Sequence, residues 1–260
     1  MNRRTFLKVV PTAVLAAAAS HYMAQADPAD SGPAQPAGLP KAPTSGPDGA
    51  AAPAPVGDLE PIVLVKPEKD GGKSVLAALQ ERKTTRTISD KKLPAQELSN
   101  LLWAAFGVNR EKGPAGQIGR TAASASNSQE IDIYVALAEG VYLYDAVGHR
   151  LVPVVVGDLR SKAGRGRRGG ATAPVRLIYV ADIAKFAKAK FQEPGLKDPD
   201  IQKSYYCIDA GLIAGNVYLY AASAGLAAWF HNCDKAAVAK ELKLREDQKV
   251  LYGHTVGYPA

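Results

Sequence analysis

The chain has 260 residues, 47% of them hydrophobic, and a formal charge of +7. Taking away residues 1–26, which hold three cations (Arg3, Arg4 and Lys8) and no acid, brings +7 to +4, too mild a surplus to argue for a nucleic-acid partner. Two cysteines, Cys207 and Cys233, are too few for a disulfide scaffold; they could pair or remain separate buried thiols.

The chain opens on Asn2-Arg3-Arg4-Thr5-Phe6-Leu7-Lys8, runs through an apolar stretch over residues 9–19 and reaches small residues at Ala24-Gln25-Ala26. This is a secretory-signal layout, and its apolar run is too short to span a bilayer comfortably. The adjacent arginines followed by Phe-Leu-Lys resemble the twin-arginine motif of proteins exported already folded, which implies a periplasmic location and no stable membrane span after cleavage. An uncleaved N-terminal anchor is the alternative. Residues 27–57 are dominated by Pro, Ala, Gly and Asp and lack the apolar side chains that offset ordering entropy, so they read as a flexible linker. Residues 58–260 then form one domain.

That domain begins with two helices. Residues 74–83 place Val75, Leu76 and Leu79 at helical spacing. Leu93-Pro94 opens the second, with Pro94 in the first turn, Glu97 just inside, and Leu98, Leu101, Leu102 and Ala105 leading to Gly107. Residues 111–119 read as a loop. Strands over 131–138, 141–144 and 151–156 are spaced as an antiparallel meander. Residues 161–170 are a loop rich in glycine and arginine, and 174–181 a buried central strand. The longest helix spans 204–224; it is apolar on most faces and is expected to be buried, with Gly211 and Gly215 permitting close packing and Gly225 ending it. A strand over 226–230, a short helix over 234–242 and a strand over 249–256 follow. The absence of regular βαβ alternation places the domain in the α+β class.

Three stretches carry candidate chemistry. In Arg82-Lys83-Thr84-Thr85-Arg86, two guanidiniums and a hydroxyl on alternating positions can converge on a phosphate, although a solvated charge run at a helix end accounts for them too. Ala123-Ser124-Ala125-Ser126-Asn127-Ser128-Gln129 offers small hydroxyl and amide side chains just before a strand; taken alone it is a turn. The long helix closes on Ala224-Gly225-Leu226, and Trp229-Phe230-His231-Asn232 follows. In this order the three resemble the nitroreductase family, with its Arg-x-Ser-x-Arg signature, its Pro-Ser-x-x-Asn-x-Gln segment and its interface helix ending in Gly-Leu-Gly. Gly140-Val141-Tyr142-Leu143-Tyr144 and Val256-Gly257-Tyr258-Pro259 look closest to the SagB-type dehydrogenase branch. The resemblance covers residues 74–260.

The resemblance implies a nitroreductase-like fold: a central, mainly antiparallel sheet flanked by helices, in a homodimer built on a long buried interface helix. It implies FMN, with Arg82, Thr84 and Arg86 on the phosphate, Ser124, Ala125, Ser126 and Asn127 along the ring and ribityl chain, and Gly225 and Leu226 beside them. By position His231 and Asn232 fall at the flavin N5 edge, although a lone histidine is more often structural. Two departures stand out: Ala123 replaces the usual proline, and no Lys or Arg follows Gly257-Tyr258-Pro259. Arg165, Arg167 and Arg168 either replace those phosphate ligands or form a surface loop, the reading we favour.

The function implied is an oxidoreductase passing hydride through flavin N5 to or from a small planar substrate, consistent with the lack of a Ser-His-Asp set, a CxxC pair or metal-spaced histidines. Outside the inner membrane NAD(P)H is not a supplied reductant, so a redox protein, a quinol or the substrate itself would be the electron donor. The rival is a non-catalytic protein that keeps the fold to hold a flavin or another ligand.

Overall fold

The computed structural model describes residues 54–113, 116–164 and 173–260. The signal-like segment, most of the linker and the loop bearing Arg165, Arg167 and Arg168 lie outside the described residues. Cys207 and Cys233 are both free thiols. Among the described residues no helix is long and apolar enough to cross a membrane.

Among these residues nine strands and four α-helices follow one another: β1 (Ile62–Val63), α1 (Val75–Glu81), α2 (Ala95–Phe106), β2 (Val108–Arg110), β3 (Gly119–Arg120), β4 (Ile131–Ala136), β5 (Gly140–Asp145), β6 (Arg150–Val156), β7 (Val175–Asp182), α3 (Pro199–Ala224), β8 (Ala227–His231), α4 (Lys235–Glu241) and β9 (Gln248–Gly257). Seven strands form one antiparallel sheet in the order β1-β6-β5-β4-β7-β9-β8, and β2 and β3 form a separate hairpin. The α+β expectation of a mainly antiparallel sheet flanked by helices holds, and so does the β4-β5-β6 meander.

The sheet is buried on both faces, and strand periodicity sorts its side chains between them. Ile131, Ile133 and Val135 of β4, with Leu177, Tyr179 and Ala181 of β7, pack against Leu101, Leu102 and Phe106 of α2 and Ile213, Ala214 and Val217 of α3. The alternate residues Tyr134, Ala136, Ile178 and Val180 pack instead with Val238 of α4 and with Leu242. All eight residues of β7 are buried, which is why its sequence reads as one apolar run without alternation.

Several boundaries move for identifiable reasons. Helix α1 stops at Glu81, and Arg82 leaves the helix at ψ 121°. Pro94 is the N-cap of α2 and lies just outside its first turn. The stretch read as a loop before Gly119 is the connection of the β2–β3 hairpin, in which Val108 pairs with Arg120. Helix α3 begins at Pro199, five residues earlier than its apolar pattern suggests, because Asp198 Oδ1 accepts from Asp200 N at 2.9 Å and from Ile201 N at 3.3 Å. Nor is α3 buried all round. Ile208 is 61% and Leu212 45% exposed, and Gly211 and Gly215 have open space beside them.

Candidate functional site

Two clusters of predicted residues flank α3. The first forms where the chain leaves α1. Thr85 N donates to Ala228 O at 3.0 Å, laying residues 82–86 alongside β8. Arg82 then lies over the ring of Tyr218 at 5.4 Å and Arg86 over that of Trp229 at 5.7 Å. Thr84 Oγ1 sits 3.0 Å from the Tyr218 hydroxyl, which also accepts Phe230 N–H at 2.9 Å. Either hydroxyl can donate in the Thr84–Tyr218 bond. Neither Arg82 nor Arg86 has a carboxylate partner among the described residues. Arg82 and Thr84 are thus brought together at Tyr218, while Arg86 lies against Trp229 of β8.

Gly225 and Leu226 belong to an adjoining cleft of about 460 Å³, which they line with Lys83, Thr85 and Ala222. The intervening residues of the extended segment, Arg82, Thr84 and Arg86, do not line it. Gly225 ends α3 at φ +70°, a left-handed conformation that glycine adopts without strain.

The second cluster is the loop ahead of β4. Residues Ala125–Asn127 form a 3-10 turn, and Ser126, Asn127 and Gln129 hold φ values of 51°, 51° and 50° without being glycine. Such backbone persists only where its surroundings over-determine it. Here they do. Ala125 N donates to Asp209 Oδ2 on α3 at 2.9 Å, Gln129 N to Ser124 Oγ at 3.0 Å, and Asn127 Nδ2 to Ile118 O at 3.2 Å. Gln129 bridges Ile118 O at 2.8 Å and Arg120 Nε at 2.7 Å. The side chains of Ser124 and Asn127 therefore brace the loop, and Ser126 is the hydroxyl left free of these bonds.

Beneath the loop lies a carboxyl pair. Glu130 is sealed from solvent and Asp209 is 5% exposed. Ser128 Oγ donates to Glu130 Oε2 at 2.7 Å, while Glu130 Oε1 has no donor among the described residues. Burial, with a contribution from neighbouring Asp209, pushes the Glu130 carboxyl up to about 7, and burial raises Asp209 as well. Burial thus raises both carboxyls, and each influences the titration of the other.

His231 and Asn232 stand at the end of β8. His231 is buried; its Nδ1 lies 2.7 Å from Asn232 O and its Nε2 2.8 Å from Thr255 Oγ1. A carbonyl can only accept, so Nδ1 donates to Asn232 O, while Nε2 and the Thr255 hydroxyl share the second bond. Both of its nitrogens thus have partners inside the protein. The exposed Asn232 remains at the strand end. His254, on β9, is fully buried and bonded through Nδ1 to Tyr179 at 3.0 Å; burial and nearby His231 push it down to about 3, so it is neutral.

A family model described as the nitroreductase family matches residues 79–258, which include both clusters. The chain belongs to the nitroreductase family. A candidate nitroreductase of Methanocaldococcus jannaschii is 31% identical over 157 residues, covering 57% of this chain and 73% of that protein. A crystal structure of a candidate nitroreductase from Ralstonia eutropha JMP134 is 36% identical, covers 81% of this chain and 96% of its own, and superposes with a TM-score of 0.69. A chain of the Escherichia coli microcin synthetase complex shares the fold at 20% identity and a TM-score of 0.55, covering 76% and 78% of the two chains.

Within this nitroreductase-family chain, three residues that organise the clusters carry no motif. Tyr218, Asp209 and Glu130 act on the motif residues from behind. The one available signal was Asp209, the lone charge in the apolar run from Cys207 to Ala224.

Proposed function

We propose that this nitroreductase-family oxidoreductase is a homodimeric FMN enzyme of SagB type, exported by the twin-arginine route to the periplasm. One observation carries the reading. Asp209 and Tyr218, the α3 residues that hold the two clusters, are nine positions apart, which at 100° and 1.5 Å per residue is half a turn round and about 13 Å along the helix. The clusters thus sit on opposite flanks, with the exposed Ile208 and Leu212 stripe between them. A second copy packed antiparallel on that stripe brings its own loop of residues 124–129 toward this chain's Arg82 and Arg86. Each site is then made by two chains, and the apolar stripe is covered.

The residues present fit FMN. Arg82, Arg86 and Thr84 offer donors suited to a phosphate, neither arginine being ion-paired to a carboxylate among the described residues, and the braced loop presents Ser126 and backbone to a flat ring. FMN, when bound, supplies two-electron chemistry at its ring. The protein's part is to hold the phosphate with the two arginines, to keep the loop in its strained conformation through Asp209, and to keep water from the ring with the dimer contact.

The test is an absorbance spectrum of the purified dimer, followed by dithionite titration. A flavin band that bleaches and returns in air, with FMN released on heating, supports the reading. A colourless protein that refuses added FMN overturns it. Fractionation of cells expressing an Arg3→Lys, Arg4→Lys variant checks export: the protein should be lost from the periplasm.

A further inference from the structure

Residues 62–68 form an extended strap that leaves the sheet edge at β1 and crosses α2. Leu64 enters the core at 8% exposure. Past it the strap is held by polar contacts. Val65 O accepts from Ser99 Oγ at 2.5 Å, Lys66 O from Gln96 Nε2 at 3.0 Å, and Glu68 N donates to Asn100 Oδ1 at 2.8 Å. Gln96, Ser99 and Asn100 fall at i, i+3 and i+4, one face of α2.

His149 closes this contact from the other side. It ends the turn between β5 and β6 at φ +44°, and its carbonyl accepts Leu64 N–H at 3.1 Å. Its half-buried ring places Nε2 2.7 Å from Ser99 Oγ and 3.2 Å from Val65 O, and Nδ1 3.1 Å from the Tyr144 hydroxyl. A carbonyl brings no proton, so the Ser99 proton lies toward Val65 O. Nε2 then donates to Ser99, and Nδ1 of the neutral ring accepts from Tyr144.

A second proton, on Nδ1, would face the Tyr144 O–H. That hydroxyl belongs to a residue only 7% exposed and has no other hydrogen-bond partner among the described residues. The adjoining acid, Asp145, already accepts from Val147 N, Gly148 N and Arg150 Nε. The cations nearby oppose a charged ring: Lys69 acts on His149, and Arg120 on Tyr144. Burial, with help from Lys69 and against the pull of Val65 O, holds His149 below its usual 6.5. A charged ring is therefore better served by water than by the slot between Tyr144 and Ser99.

We propose that His149 is an acid-sensitive latch: neutral, it pins Leu64 and Val65 against α2; protonated, it leaves its slot and frees residues 62–68. The neutral ring is the docked form. Docking is thus complete above pH 6.5 and weakens as pH falls below that value, by at most about tenfold per pH unit.

The test is hydrogen–deuterium exchange of the purified full-length protein at about pH 7.5 and about pH 5, each set against the intrinsic exchange rate at that pH. The peptide carrying residues 62–68 should lose protection about tenfold at the lower pH, while peptides from β7 keep theirs. His149→Asn, which tolerates the left-handed turn and does not titrate, should give the same strap protection at both values. Lys69→Gln should move the midpoint of the parent's transition to higher pH, a shift that a merely structural contact would not produce. In the parent, the His149 ring followed by NMR should titrate with the midpoint of strap release, which decides the question if His149→Asn does not fold. Equal strap protection at both pH values, a transition that survives in His149→Asn, an unmoved midpoint in Lys69→Gln, or a ring midpoint apart from that of the strap overturns the inference.

Discussion

Replacing Glu130 by Gln should make the protein more stable at neutral pH and remove part of its pH dependence. An unfolded glutamate gives up its proton near 4.5, whereas the native Glu130, buried against Asp209, holds it to about 7. Between those values unfolding releases a proton. Stability is therefore full below pH 4.5, falls as pH rises to about 7, and levels off above. At about 1.4 kcal/mol per pH unit, the loss across that interval is about 3 kcal/mol. The amide in Glu130→Gln needs no proton: its carbonyl accepts from Ser128, and its NH2 group donates toward Asp209. The variant should match the parent near pH 4.5 and exceed it by about 2–3 kcal/mol above pH 7, a rise of about 6–10 °C in Tm for a domain of this size. Urea denaturation or scanning calorimetry at the two pH values reads both. Parallel pH profiles for parent and variant would refute the assignment of a raised carboxyl at Glu130.

Three further outcomes follow from the geometry. Arg82→Ala with Arg86→Ala should weaken FMN binding by about a hundredfold with little change in Tm, since both arginines are themselves exposed; flavin retained through gel filtration measures it. Leu212→Glu, at a position 45% exposed in the single chain, should leave the chain folded and yield monomers by light scattering, with loss of flavin in parallel. Gly253→Ala should cost about 1–3 kcal/mol in urea denaturation, because its Cβ would meet His231 Cε1 and Ala163 O, each at 2.7 Å, in a crowded part of β9.

Local chemistry was readable from the sequence where one residue type answers one need. The run Val175, Leu177, Ile178 and Val180 announced a strand buried on two faces, and Gly225 announced the end of a helix. The start of α3 was missed because its first turn is polar: Asp198 and Pro199 set it by capping, before any apolar residue appears. Apolar periodicity also overstated the burial of α3, since Ile208 and Leu212 look alike in sequence whether they face a core or another molecule. At the site, Arg82 and Thr84 meet at Tyr218, and Arg86 lies over Trp229. Ser124 and Asn127 carried the expected residue types but spend them inside the loop. Glu130 and Asp209 escaped notice because their meeting depends on tertiary packing across 79 positions, which no local pattern encodes.

The strand order also sets a timetable for synthesis. Strand β8 touches the sheet only through β9, and β9 completes the pairing of β7. Because β9 leaves the ribosome after every strand it joins, β8 and the exposed edge of β7 must wait unpaired until residues 248–257 arrive. Strand closure over such sequence separations is slow, and waiting edges invite mispairing. Five strands can therefore pair before β9 arrives, but any stall before residue 248 leaves Trp229 and Phe230 without the strand that secures them.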